Sequence, residues 1–164
     1  MQKKGRFIMN KITIQEAHKL TSPGPMTLIC TETPDKKTNL APVGWWTILS
    51  YNPGMIGFAM AKTSYSGEMV RRAKKVIITI PSEELDKVII PCGTTTGRDT
   101  DKAEKFGIAL EDVPDSTIKV PTNSSVVVKA DLEQTVEVGD HYLYICSVEQ
   151  VYGDEDNKPL VWKY

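Results

Sequence analysis

The chain has 164 residues, the length of one ordinary domain. Its 40% hydrophobic and 25% charged residues exclude a disordered, fibrous or coiled-coil protein. A net charge of −1 leaves no overall positive field that would attract nucleic acid or an anionic membrane. We therefore expect a single domain over residues 1–164 that binds neither, with residues 1–10 as a loosely ordered N-terminal extension.

The predicted elements include strands and helices, but they lack the strict β-α alternation that a doubly wound sheet needs. Helices are predicted over residues 14–20, 66–75, 82–90 and 99–106, and strands over residues 26–31, 40–49, 55–61 and 76–80. Ser64 or Ser66 is placed to cap the second helix, and the basic residues near its end complement the helix dipole.

The segment from residue 38 to residue 61 contains no Asp, Glu, Lys or Arg. Its length suits a membrane span, but Pro42, Pro53 and several glycines would interrupt a helix in a bilayer. The segment is therefore predicted to form buried strands joined by a turn at residues 51–54.

The C-terminal third predicts a long β-hairpin. Apolar residues occupy alternate positions over residues 126–138, interrupted at Gln134, and Gly139 and Asp140 form the turn. Residues 142–148 are apolar on both faces, which predicts a strand in the middle of a sheet or against another subunit. We predict a mainly β protein, with a closed or sandwiched antiparallel sheet and helices on its rim.

The cysteines and histidines exclude several kinds of protein. Cys30, Cys92 and Cys146 are too few and odd in number for a disulfide framework, so we expect reduced, buried thiols and a cytoplasmic location. His18 and His141 lie far apart with no ligand at zinc spacing, so no metal site is predicted. The common hydrolase, NTPase and Rossmann motifs do not occur.

Three clusters of polar and aromatic residues remain as candidate binding elements. Residues 62–67 follow a strand and open a helix, so they suit a phosphate, although serine and threonine there also serve as ordinary caps. Residues 92–99 contain three threonines between two glycines, which either bind an anion or form a plain loop. Trp45 and Trp46 point to opposite faces of a strand, so one can face a ligand or partner.

Taken in this order, the clusters resemble the flavin reductase-like, FMN-binding split-barrel proteins, and within them the flavoredoxin-like group. The matching stretches are residues 39–53, 62–70, 92–102 and 139–141. The Cys-Gly-x-x-x-Gly-Arg-Asp-x-Asp-Lys run of residues 92–102 is the most specific of them. The resemblance spans residues 25–151 and implies a homodimeric antiparallel split barrel with flanking helices, holding FMN near the subunit interface.

The resemblance also implies roles for individual residues. The strand along the flavin ring corresponds to Trp45, Trp46, Thr47, Ile48, Leu49 and Ser50. The phosphate-binding segment corresponds to Lys62, Thr63, Ser64 and Ser66. The loop and helix beside the flavin correspond to Thr95, Arg98, Asp99 and Lys102. His141 corresponds to a hairpin histidine near the flavin or the reducing nucleotide, and is the candidate catalytic residue.

Three functions are compatible with this sequence. The first is an FMN-dependent oxidoreductase that takes electrons from NADH or NADPH, or exchanges them with a protein partner as a flavoredoxin does. The uncharged segment over residues 38–61 can supply an apolar slot for a flavin ring, and the loop at Lys62 a phosphate site. The alternatives are a non-catalytic FMN-binding or sensing module and a structural dimer without cofactor.

Overall fold

The computed structural model describes residues 10, 11, 13, 16 and 23–163. The helix predicted over residues 14–20 lies outside the described residues apart from Glu16. Within the described part of the chain, no helix is long and apolar enough to cross a membrane. The same residues contain no group of three or more His, Cys, Asp or Glu side chains that could hold a metal ion.

The described residues form eleven strands, three α-helices and a short 3₁₀ helix, Glu83–Leu85. The helices are α1 (Tyr65–Ala73), α2 (Asp86–Thr94) and α3 (Lys102–Phe106). The strands are β1 (Gly24–Pro25), β2 (Thr27–Glu32), β3 (Thr38–Val43), β4 (Trp46–Tyr51), β5 (Gly54–Ala61), β6 (Lys75–Ile80), β7 (Leu110–Glu111), β8 (Val120–Pro121), β9 (Val126–Val138), β10 (His141–Gly153) and β11 (Val161–Trp162).

Seven of the strands form one antiparallel sheet in the order β3-β2-β6-β9-β10-β5-β4. The predicted hairpin is confirmed, since β9 and β10 pair around Gly139 and Asp140. Strand β10 also pairs with β5, with His141 opposite Ala61. Its position inside the sheet accounts for its two apolar faces, so no second subunit is needed to explain them.

Strands β2 and β6 are buried on both faces, as the run of aliphatic residues in β6 predicts. Strand β4 lies at the sheet edge and is mostly exposed, so the prediction of buried strands over residues 38–61 is wrong for β4. Adjacent residues of one strand point to opposite sides, so Leu28 and Ile77 join one core cluster while Ile29 and Ile78 join the other. Residues of α2 and α3 pack into the first cluster, and Val70 of α1 packs into the second. This arrangement is the antiparallel, helix-flanked β architecture that the sequence predicts.

The prediction of one strand over residues 40–49 is wrong. Strand β3 ends at Val43 and β4 begins at Trp46, and these two strands are the first and last strands of the sheet. Gly44 and Trp45 therefore carry the chain from one edge of the sheet to the other. Hydrophobic patterning alone does not reveal this break, because both strands are equally free of charge.

The helix predicted over residues 82–90 also differs from the structure. A 3₁₀ turn comes first, and α2 then continues through Pro91 to Thr94. A proline normally predicts that a helix ends before it, because it lacks an N–H and crowds the preceding turn. Here Ile89 and Cys92 on either side of it are buried in the core, so tertiary packing outweighs the local preference.

Candidate functional site

A cavity of about 650 Å³ lies where β5 ends, α1 begins and α2 gives way to the following loop. Its volume falls in the range of small-molecule sites, roughly 300–1,000 Å³. The wall is formed by residues 41–45, 59–61, 63–66 and 92–97 together with Lys102 and His141. Parts of all three candidate clusters therefore meet at one place, joined by the hairpin histidine.

The start of α1 presents hydrogen-bond donors to this cavity. Ser64 caps the helix, and its Oγ accepts the Gly67 N–H at 3.2 Å. The amide N–H groups of Tyr65 and Ser66 have no acceptor among the described residues, as is expected in the first turn of a helix. Thr63, Ser64 and Ser66 all line the cavity, so this end can hold an anion.

The facing wall is formed by Thr94, Thr95 and Thr96. Residues 94–97, where α2 ends and the following loop begins, are called the threonine loop below. Because α2 extends to Thr94, the first of these hydroxyls bonds back to the helix, with Oγ1 donating to the Ile90 carbonyl at 3.0 Å. Gly93 packs closely on β3, since a Cβ at this position would lie 3.1 Å from Pro42 Cγ. The absence of a side chain at Gly93 therefore allows the end of α2 to approach β3.

Lys102 brings a buried positive charge to the cavity wall. The residue is 4% exposed, and its Nζ donates to the carbonyls of Leu40 at 2.8 Å and Cys92 at 2.7 Å. Among the described residues it forms no ion pair with a carboxylate. Burial lowers the pKa of Lys102 and raises the pKa of the Cys92 thiol. A buried cation without a counterion favours a ligand that carries negative charge.

His141 and Trp45 form the aromatic side of the cavity. Their ring centroids lie 4.7 Å apart with the planes tilted by 40°. His141 Nδ1 lies 2.6 Å from Asp140 Oδ1 and donates to it, because an ionised carboxylate only accepts. This hydrogen bond lowers the pKa of Asp140. With Nδ1 engaged in this way, Nε2 of the ring is left for contact with a ligand.

Several predicted site residues lie outside the cavity lining. The Trp46 indole N–H donates to the Pro25 carbonyl at 3.0 Å, and the ring packs against the core. Lys62 pairs with Glu137 on β9. The other β4 residues predicted to lie along a flavin also belong to the sheet edge and do not line the cavity: Thr47, Ile48, Leu49 and Ser50.

Arg98 and Asp99 lie beyond the threonine loop rather than in the cavity. The Arg98 guanidinium pairs with Glu68 at 2.9 Å and lies over the Tyr65 ring at 4.8 Å. Asp99 Oδ1 accepts the Thr100 hydroxyl at 3.0 Å and lines a neighbouring groove. A direct flavin contact by these two residues, or by the β4 residues and Lys62, stays a prediction.

Sequence reasoning did not single out Asn39 as a site residue. This β3 residue is 3% exposed and donates a hydrogen bond from Nδ2 to Ser66 Oγ at 2.7 Å. A Cβ at Gly97 would collide with Asn39 Oδ1, so the threonine loop also rests on this amide. The available signal was a primary amide in a charge-free strand, where side chains are otherwise mostly apolar.

Comparison with known sequences identifies the family of this chain. A model of the flavin reductase-like domain matches residues 20–164. An uncharacterised protein of Archaeoglobus fulgidus is 30% identical over 131 residues, which cover 76% of this chain and 72% of that protein. A flavin reductase of Pseudomonas putida is 28% identical over 131 residues, which cover 79% of this chain and 72% of that enzyme.

Solved structures share the fold at low sequence identity. An FMN-binding protein from Thermus thermophilus superposes with a TM-score of 0.78 at 16% identity, covering 100% of this chain and 90% of that chain. Flavoredoxin from Methanosarcina acetivorans superposes with a TM-score of 0.73 at 21% identity, covering 96% and 82%. The fold is therefore that of the FMN-binding split barrels, and the chain belongs to the flavin reductase-like family.

Proposed function

We propose that this chain is an FMN-binding oxidoreductase whose cofactor lies in the 650 Å³ cavity. One observation carries the proposal: a helix start with unpaired donors, a buried cation and an aromatic pair line the same cavity. Family membership supports a flavin-related oxidoreductase, and the cavity chemistry supports a ligand with both an anionic end and an aromatic body.

The residues present fit FMN. The Tyr65 and Ser66 amides and the hydroxyls of Ser64 and Ser66 would hold the phosphate. The uncharged wall of β3 and the Trp45 side chain would border the flavin ring, and Lys102 would offset negative charge on the ligand. A bound flavin supplies hydride or electron transfer, so the protein needs no nucleophile of its own.

His141 is proposed to meet the electron donor or the flavin edge. Asp140 accepts a hydrogen bond from Nδ1, so the ring is oriented by this bond as well as by its tilted contact with the Trp45 ring. NADH or NADPH is one candidate donor, supported by similarity to a flavin reductase of P. putida and to an NADH:FAD oxidoreductase of Streptomyces globisporus. Likeness to a flavoredoxin supports an electron-transfer protein instead.

The functional unit is proposed to be a homodimer. Strand β4 is a sheet edge whose apolar side chains are exposed, with Ile48 at 55%, Leu49 at 44% and Tyr51 at 91%. An exposed apolar edge favours association with another chain, and a second copy would bring the predicted β4 contacts towards a flavin.

The three buried, free cysteines support a reducing compartment such as the cytoplasm.

The deciding experiment is a flavin titration followed by anaerobic reduction. The purified protein is stripped of flavin and titrated separately with FMN, FAD and riboflavin, using flavin fluorescence. The FMN complex is then mixed with NADH, NADPH or a reduced electron-transfer protein, and the visible flavin band is followed. Tight FMN binding and bleaching by one donor are expected. Binding without bleaching by any donor would indicate a sensing or storage module, and absence of binding would indicate a structural dimer.

A further inference from the structure

Asn39 joins the two polar walls of the cavity. It lies on β3 and is 3% exposed, so its amide is shielded from solvent. On one side Nδ2 donates to Ser66 Oγ at 2.7 Å, and on the other Oδ1 lies against Gly97. The start of α1 and the threonine loop are thus both positioned by one side chain that itself lies outside the cavity lining.

The direction of this hydrogen bond decides what Ser66 can do. A serine hydroxyl has one hydrogen to donate, and the Asn39 N–H occupies an acceptor site on Ser66 Oγ. Among the described residues, no acceptor takes the Ser66 hydroxyl hydrogen. Ser66 lines the cavity, so this hydrogen is available to an anionic ligand next to the unpaired amides of α1.

The opposite orientation of the amide would have the reverse effect. If the carbonyl oxygen faced Ser66, it would accept a hydrogen bond from the serine hydroxyl, and the hydroxyl hydrogen would then point away from the cavity. In the observed orientation Asn39 Oδ1 is buried without a hydrogen-bond partner among the described residues, which is unfavourable in itself. Among the described residues, the bond from Nδ2 to Ser66 is therefore the one hydrogen bond that the Asn39 side chain makes.

We infer that Asn39 is a positioning residue that holds the Ser66 hydroxyl as a donor to a phosphate monoester in the cavity. The inference rests on the proposed function, because FMN carries such a group and riboflavin does not. It predicts that Asn39 contributes to the preference for FMN over riboflavin, although it does not line the cavity itself.

The test substitution is Asn39→Asp. The carboxylate has nearly the same shape, but it accepts the Ser66 hydroxyl hydrogen and places a negative charge behind the phosphate. We expect FMN affinity to fall about 10-fold or more, the scale of a lost hydrogen bond to a charged group, while riboflavin affinity changes less than about 3-fold. Asn123→Asp, in the turn before β9, is the control with the same change of charge. Thermal unfolding of the flavin-free variants reports their fold.

A double-mutant cycle with Asn39→Ala and Ser66→Ala tests whether Asn39 acts through Ser66. Each single substitution should lower the ratio of FMN to riboflavin affinity, and the Asn39 effect should disappear in the Ser66→Ala background. This cycle decides the question if Asn39→Asp does not fold. Additive effects, or an unchanged FMN-to-riboflavin ratio in Asn39→Asp, would overturn the inference while leaving the proposed function standing. A wild-type protein that binds neither flavin would refute both.

Discussion

Single residues give the cavity its chemistry through the hydrogen bonds that local structure leaves unmade. The first turn of a helix cannot satisfy its own amides, so Tyr65 and Ser66 retain donors at the cavity. Lys102 has carbonyl partners but no carboxylate among the described residues. The site is therefore electropositive locally in a chain whose net charge is −1.

The combined substitution Lys62→Ala and Ser64→Ala tests the phosphate site. Hydrogen bonds to charged groups contribute about 1.5–3 kcal/mol, so FMN affinity should fall roughly tenfold or more, and riboflavin affinity should change little. Fluorescence titration with both flavins is the measurement. Lys36→Ala, on the turn before β3, is the matched surface control. Unchanged FMN affinity would mean that neither Ser64 nor Lys62, which pairs with Glu137, contributes to phosphate binding, and it would refute the assignment.

His141→Ala tests the candidate catalytic residue. The imidazole contacts the Trp45 ring at the aromatic side of the cavity and is not needed to hold the phosphate. We expect FMN to remain bound while its reduction slows at least about 10-fold, since a positioned acid–base group typically contributes about 10²–10⁴-fold. Stopped-flow bleaching of the flavin band at saturating donor measures this. Equal rates would assign His141 a structural role, and loss of FMN would make it a binding residue.

At the scale of elements, short helix α3 carries Lys102 to the cavity and depends on its cap. Asp101 Oδ1 accepts the Glu104 N–H at 3.1 Å, and its other oxygen pairs with Lys37 at 3.1 Å. The amide hydrogen bond first, and then the pairing with Lys37, hold the pKa of Asp101 below its ordinary value. A group with a lowered pKa in the folded state stabilises the protein above its unfolded-state pKa, and this stabilisation is lost as the pH falls through the folded-state value.

Asp101→Asn and Asp101→Ala separate the charge from the cap. Asparagine also caps helices, whereas alanine removes the cap and should cost about 1 kcal/mol of unfolding free energy. The stability difference between wild type and Asp101→Asn should be constant above pH of about 4 and should shrink below it, because the wild-type carboxylate becomes protonated. Urea unfolding at several pH values measures this. A difference that does not change with pH would refute the role of the charge.

At the scale of the whole molecule, the two edges of the sheet differ. Helices α2 and α3 pack on β3 and cover that edge, while β4 leaves Ile48, Leu49 and Tyr51 exposed. Uncovered apolar edges favour pairing with another chain. The exposed strand β4 directly follows Gly44 and Trp45, and these two residues line the cavity.

Analytical ultracentrifugation tests the proposed homodimer. We expect a dimer at micromolar concentration, and Ile48→Lys should weaken association at least about tenfold, because a charge would be buried without a partner. Val161→Lys, at an exposed position on β11, is the control. If FMN lies at the interface, adding it should favour the dimer by mass action. A wild-type monomer that keeps its FMN at this concentration would contradict the proposal.

The sequence by itself determined the features that depend on neighbouring residues. The strand over Val126–Val138 and the turn at Gly139 and Asp140 follow from alternation and turn preference, which are local properties. Capping preference likewise predicted a serine cap at Ser64 or Ser66, and the structure shows that it is Ser64. The charge-free segment over residues 38–61 correctly predicted strands, and β3 and the middle of β5 are buried, but β4 at the sheet edge is mostly exposed. Absence of charge permits burial, whereas the position of a strand in the sheet decides it.

The tertiary structure alone decided the features that depend on residues far apart in the chain. These are the separation of β3 from β4 at Gly44, the continuation of α2 through Pro91 and the burial of Lys102 between two carbonyls. The pairing of Asn39 with Ser66 joins residues 27 positions apart, and that of Lys62 with Glu137 joins residues 75 positions apart. Such contacts form because packing of the sheet and helices brings these groups together, and packing can override local preference.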